Sequence, residues 1–330
     1  MGTGKKILIA VDGSSYSLQA IKYVATLCSG SPVEVSLLHV LPMASEELLR
    51  QISMDEDFKS KIKEQYERFN DECSRAAQKF LDQAKEIMVS SGYVPDVIMT
   101  MLRQWQSGIA RDIMAEAQKG YDAVVIGRRG IGRVESLMLG SVSAQVVQGV
   151  DWIPVWVIGG EILSSKMLLA VDASANSCQA VIYAAPYAAQ TGAEVTLLHV
   201  VRKFFPGSSP DLTSAGEEIE TLLNENLKAK IQGMFDEYKR CLENAGVTPD
   251  KIRTESTFGS YSRAAEILAT AREGNHGTVI MGRRGISAVR EFIMGRVTTK
   301  VLNAAEGLAV WIVPSTPRSA HDHCRPGDKP

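Results

Sequence analysis

The stretch VVIGRRGIGRVESLMLGSVSAQVV, Val124 to Val147, returns as VIMGRRGISAVREFIMGRVTTKVL, Val279 to Leu302. In each copy an apolar run meets a glycine, two arginines and a second glycine, and after nine more residues a third glycine opens a periodic segment. An unbroken apolar run marks a strand covered on both faces, and the spacing after the third glycine is helical. Gly127, Gly130 and Gly140, and likewise Gly282, Gly285 and Gly295, therefore punctuate a turn between a buried strand and a helix. In an open parallel sheet that is where the ligand crevice lies, at the carboxyl ends of the strands.

The repetition extends outward from this turn. KKILIAVDGSS from Lys5 returns as KMLLAVDASA from Lys166, and EVSLLHVLP from Glu34 as EVTLLHVVR from Glu194. Asp12 pairs with Asp172 and His39 with His199 at one offset, while the glycine turns pair at an offset five residues shorter. Two copies of this length are a duplicated domain; a solenoid needs more and shorter units. The domains are placed at 1–160 and 161–315, with 316–330 as a disordered tail, because TPRSAHDHCRPGDKP is polar and carries no apolar period.

Within a repeat the hydrophobic period alternates between strand and helix. Ile7–Val11 and Val35–Val40 predict two buried strands, and Leu18, Ile21, Ala25 and Cys28 step at helical spacing between them. Asp12-Gly13-Ser14-Ser15 supplies helix-capping candidates. A long helix carries Phe58, Ile62, Phe69, Cys73, Ala76, Phe80 and Ile87 on one face. A third strand runs from about Asp96 to Met101 and a helix from Ala110 to Gln118. A fourth strand spans Ala123–Gly127, a helix Ser141–Gln148 and a last strand Ile153–Ile158. Repeat 2 keeps this order to its last strand, Leu308–Val313. The expected fold is α/β: two open parallel sheets with helices on both faces. The final strands, with Trp156 and Trp311 at matching places, are edges needing cover, so they are expected to pair and form an internal pseudo-dimer.

Composition narrows the function classes. Apolar residues make up 45% and the formal net charge is −2, so no global field recruits nucleic acid or an anionic membrane. Neither a signal peptide nor a spanning segment is expected. The five cysteines include no CxxC pair, which fits reduced thiols and a cytoplasmic location. His321-Asp322-His323-Cys324 sits in the polar tail, and no metal site is assigned.

The turn has the chemistry of a phosphate holder. Glycine lets backbone amides approach an anion, Gly140-Ser141 opens a helix whose N-terminus attracts negative charge, and the Ser141 hydroxyl offers one more hydrogen bond. Arg129 can neutralise phosphate charge or remain a solvated loop residue. Asp12, at the same sheet edge, is either a helix cap or an acceptor for ribose hydroxyls. The motifs GxxxxGK[ST] and GxGxxG do not fit these positions.

At these residues the chain resembles a tandem universal stress protein of the nucleotide-binding branch, marked by G-x2-G-x9-G-[S/T] after the fourth strand and an aspartate closing the first. The resemblance covers about 5–160 and 166–315. It implies five-stranded sheets of order 3-2-1-4-5 with ATP in the crevice. By position, Asp12 and Val40 would address ribose and adenine, and Gly127, Gly130, Gly140, Ser141 and Val142 the phosphates. In repeat 2 the matching residues are Asp172, Val200, Gly282, Gly285, Gly295 and Val297, with Arg296 where the family has Ser or Thr. That guanidinium either grips a phosphate or fills the pocket. Repeat 1 departs elsewhere, in the bulky loop MLRQWQSG after its third strand.

No nucleophile–base pair declares itself, so no catalytic residue is assigned; His39 and His199 read as core histidines. Mg²⁺ would ride on the phosphates. Long charged helical stretches, about 46–91 and 217–245, exceed what covers a sheet and leave room for a homodimer or an unknown protein partner. Three readings stay open: an ATP-binding stress-response regulator, a scaffold that uses the fold without nucleotide, and a slow ATPase.

Overall fold

The computed structural model describes residues 5–42, 56–131, 138–202, 213–285 and 294–315. The expected tail 316–330 and the start of the first long helical stretch lie outside the described residues. The chain divides into two compact units, Met1–Val134 with Gly140–Val150, and Glu135–Leu139 with Asp151–Pro330.

In the first unit the strands are β1 (Lys5–Val11), β2 (Val33–Leu41), β3 (Ile98–Gln104) and β4 (Ala123–Gly127). They lie in the order β3-β2-β1-β4, all parallel. The helices are α1 (Ser15–Leu27), α2 (Glu56–Ser90), α3 (Ile109–Ala117) and α4 (Ser141–Gly149). Parallel strands require crossovers, and these fill two helical layers: α1 packs on α2 and α3 on α4. Ile7, Leu8 and Ile9 are fully buried, as a strand covered on both faces demands.

The second unit carries β5 (Val155–Ile158), β6 (Met167–Ala170), β7 (Val195–Arg202), β8 (Ile252–Ser260), β9 (Thr278–Gly282) and β10 (Ala309–Val313). Its helices are α5 (Ala175–Thr191), α6 (Thr213–Asn244), α7 (Arg263–Glu273) and α8 (Arg296–Ala304). The order is β5-β10-β9-β6-β7-β8. The strands of each repeat thus follow the expected 3-2-1-4-5 order, and the final strand of repeat 1 runs antiparallel along β10. Trp156 lies opposite Trp311 in that pairing, with ring centroids 4.2 Å apart and planes 5° from parallel. Tyr183 and Tyr187 of α5 pack edge-on against both indoles. The paired edges no longer offer open backbone to another chain.

Three expectations move. The third strand begins at Ile98, because Pro95, with its fixed φ, opens a 3₁₀ turn that takes in Asp96 and Val97. The strand β5 begins after Pro154, at Val155, because Pro154 has no amide to give a ladder. The buried stripe of α2 is Ala77, Leu81, Ala84 and Met88, one residue on from the expected face, while Phe69 is 56% exposed. The helix packs on β2 and β3, and Ala77 and Ala84 are small enough to let it lie close.

Candidate functional site

The first helix entry after β1 is set by short side chains. Ser14 caps α1 by accepting from the Ser17 amide at 3.1 Å. Asp12 is therefore not the cap. Its Oδ1 accepts from the Ser14 amide at 3.0 Å and its Oδ2 from the Ile131 amide at 3.1 Å. One carboxylate thus ties the end of β1 to the glycine turn after β4.

Each glycine of that turn has a separate steric reason. A Cβ on Gly130 would lie 2.4 Å from Asp12 Oδ2, and one on Gly127 would lie 2.8 Å from Tyr16 Cβ and 2.9 Å from the Tyr16 carbonyl carbon. At Gly140 it would meet Arg128 O at 3.3 Å, the oxygen that accepts from the Gly140 amide at 2.9 Å. Side chains at Gly127 and Gly130 would collide with Tyr16 and Asp12, whereas at Gly140 Arg128 O would have to give way by a few tenths of an ångström. Ser143 Oγ donates to Gly127 O at 2.8 Å and fixes α4 against the strand end.

Gly140 is the N-cap of α4, with φ −60° and ψ 151°, and no side chain caps the helix. Gly295 opens α8 in the same way. By contrast α1, α5 and α7 carry the serine caps Ser14, Ser174 and Ser262. Gly108 also starts α3 without a side-chain cap, and there the Asp112 carboxylate takes the Gln106 and Ser107 amides of the preceding loop. The first turn of α4 is thus a positive dipole end with Ser141 exposed and Val142 half-buried at its start.

The two arginines of the turn part company. Arg128 is 1% exposed and Arg283, its counterpart, 3%; neither is a solvated loop charge. Burial lowers the basicity of Arg283, and the Asp151 carboxylate opposes that shift. Arg129 is half-buried, donates to Tyr16 Oη at 3.2 Å and lies over the Tyr16 ring.

Repeat 2 rebuilds the same entry with altered bonds. Asp172 Oδ1 accepts from the Ser174 amide at 3.0 Å and from Ser177 Oγ at 2.8 Å, and a Cβ on Gly285 would lie 2.6 Å from Asp172 Oδ2. Gly295 N donates to Arg283 O at 2.9 Å, and Thr298 Oγ1 to Gly282 O at 3.2 Å, matching Ser143. Arg296 is exposed at the first position of α8 and Val297 half-buried behind it. Val40 and Val200 are buried near the ends of β2 and β7. Val200 O, however, accepts from Arg263 Nε at 3.2 Å.

Two family matches run through these elements: the model described as "Universal stress protein family" fits residues 4–159 and again 164–314. The chain belongs to the universal stress protein family. A universal stress protein of Bacillus subtilis (strain 168) is 30% identical over 147 residues, covering 43% of this chain and 91% of the relative. One of Synechocystis sp. is 24% identical over 319 residues, covering 90% of this chain and 96% of that one. The crystal structure of a universal stress protein from Archaeoglobus fulgidus shares the fold across both halves, with a TM-score of 0.57 at 20% identity, covering 94% of this chain and 98% of that one.

Two histidines sit at matching places in this universal stress protein, His39 in β2 and His199 in β7. His199 Nδ1 lies 2.7 Å from Val171 O. His39 is buried with Nδ1 lacking a hydrogen-bond partner. Burial holds His39 below its ordinary basicity, against the pull of the Asp12 charge, so the ring is neutral near pH 7. Neither histidine is set beside a nucleophile by these contacts. Among the described residues no three His, Cys, Asp or Glu side chains gather as a metal cage, and no helix is long and apolar enough to cross a membrane.

Sequence reasoning named the glycines and aspartates but missed their partners. Ser17 and Ser177, at one offset, could have been found from the repeat itself. The Ile131 amide and Arg263 carried no such signal.

Proposed function

We propose that the crevice of repeat 1 binds an adenine nucleotide, ATP, and that the chain is a nucleotide-binding regulator of a stress response without a dedicated reaction. The observation that carries this reading is the glycine start of α4, which leaves the helix without a capping side chain. A helix end open in this way suits phosphate oxygens, which accept from its backbone amides and neutralise its dipole.

In this reading Gly127, Gly130 and Gly140 shape the turn, Ser141 and the Val142 amide donate to phosphate, and Arg129 adds charge. Asp12 and the backbone of Val40 address the nucleoside. Asp12 can accept ribose hydroxyls while holding two amides, because a carboxylate offers about four lone-pair sites. The residues present thus fit a nucleotide; Mg²⁺, if recruited, would be brought by the phosphates.

The test is calorimetry on nucleotide-stripped protein. ATP is expected to bind the native chain and to bind Gly140→Val at least tenfold more weakly, since added carbons crowd Arg128 O. Absence of heat with the native chain refutes the reading.

One observation favours a second reading, a scaffold that uses the fold without nucleotide. Both oxygens of the Asp12 carboxylate already serve backbone amides, which explains the aspartate and Gly130 without a ligand. The same calorimetry separates the two.

A further inference from the structure

The two crevices differ where the base would sit. In repeat 1 the β2–β3 ladder runs regularly past Val40, pairing it with Arg103 and Leu41 with Gln104. The Trp105 amide then donates to Leu41 O at 3.1 Å. In repeat 2 the ladder breaks: Val200 pairs with Thr257, but Arg202 pairs with Ser260, so β8 carries one extra residue. Gly259, at φ +73°, sits in that bulge. A bulge bends its strand and re-aims the chain beyond it.

Beyond this bulge the chain enters α7, capped by Ser262, whose first residue is Arg263. Its guanidinium reaches back over the end of β7 and donates Nε–H to Val200 O at 3.2 Å. The first residue of the matching helix α3 is Ile109, which has no donor to offer Val40. An adenine amino group is a donor that would use that same carbonyl as acceptor; in repeat 2 the Arg263 guanidinium already holds this oxygen and takes up the place beside it that a base would need, whatever lone pair remains.

We propose that Arg263 closes the base end of the repeat 2 crevice, so that the native chain takes one adenine nucleotide, in repeat 1. This rests on the nucleotide reading of repeat 1. Arg263 is an exposed residue apart from this bond, so it acts as a selectivity element and not as part of the core. A base entering the space beside Val200 O must displace this guanidinium, and losing one such hydrogen bond corresponds to roughly tenfold in affinity.

The test uses full-length, nucleotide-stripped protein and calorimetry with ATP. The native chain is expected to bind one equivalent, and Arg263→Ile, which copies the residue of repeat 1, to bind a second. Ser141→Glu places a negative charge against phosphate at an exposed position of repeat 1. In that background uptake is expected to be lost, and Arg263→Ile to restore it at least tenfold. Arg263→Ala serves equally if the isoleucine lowers solubility.

Two equivalents on the native chain overturn the inference and leave the repeat 1 reading standing. So does one equivalent on the native chain together with equal binding by Ser141→Glu and Ser141→Glu/Arg263→Ile. No binding by any protein overturns both.

Discussion

Asp12 Oδ2 lies 3.1 Å from the Ile131 amide it accepts, and a Cβ on Gly130 would fall 2.4 Å from the same oxygen. The aspartate and the glycine are one device: the carboxylate can clasp the turn only because its neighbour in that turn has no side chain. A Cβ on Gly285 would likewise fall 2.6 Å from Asp172 Oδ2.

Gly130→Ala is therefore expected to destabilise by roughly 1–3 kcal/mol, the usual cost of overpacking. Asp12→Ala removes the obstructing oxygen, so the double variant should lose less than the sum of the single ones. The coupling is expected to reach about 1 kcal/mol, as for residues in direct contact. Urea unfolding of the four proteins measures it; strictly additive losses would show that the clash is not what requires glycine.

Trp156 and Trp311 are fully buried and stacked, so truncating either leaves a large void beside its partner. Trp156→Ala and Trp311→Ala are each expected to cost roughly 3–5 kcal/mol. Trp156→Phe, which keeps a ring against Trp311, should cost clearly less. Thermal and denaturant unfolding followed by far-ultraviolet circular dichroism checks the order.

Glu116 is 4% exposed; Lys119 Nζ at 2.8 Å and Tyr121 Oη at 3.1 Å donate to it, and Arg103 pairs with it at 2.5 Å. Burial alone would raise its pKa, but the hydrogen bonds from Lys119 and Tyr121 and the Arg103 charge outweigh it and hold the carboxyl below its ordinary value. A folded value below the unfolded one means stability that is complete above about pH 4.3 and is lost as pH falls through the folded value. Glu116→Gln should lower stability at pH 7 by roughly 1–3 kcal/mol and flatten its fall between about pH 5 and 3. Denaturant curves across that window decide it; parallel pH dependences would contradict the assignment.

Cys28 is fully buried, and desolvation pushes its thiol up to about 12 despite the nearby Lys5 charge. Its reactive thiolate is then scarce at pH 8. Iodoacetamide labelling of the folded chain, read by peptide mass spectrometry, should modify half-exposed Cys73 first and Cys28 only when the protein unfolds. Equal labelling of the two would contradict this.

Most of the architecture was readable one segment at a time. The apolar runs Ile7–Val11 and Ala123–Gly127 match β1 and β4 within two residues, because a fully buried strand writes its burial on consecutive residues. Pro95, by opening a 3₁₀ turn, and Pro154, by lacking an amide, shifted two strand starts, a local effect the apolar pattern does not register. The α2 stripe slipped by one residue because its charged helix offers several apolar alignments, and only the strands beneath it choose Ala77, Leu81, Ala84 and Met88.

The candidate site divides in the same way. Glycine spacing after a buried strand is a property of adjacent backbone, so the turns at Gly127 and Gly282, their duplication and the family could be read directly from the order of residues. Which donor meets which acceptor is not local: Asp12 meets an amide 119 residues away, and Arg263 a carbonyl 63 residues away. Those pairings arise only when the strands stack and a bulge at Gly259 turns the chain, so the tertiary structure alone decided that the two copies of one motif differ at Val40 and Val200.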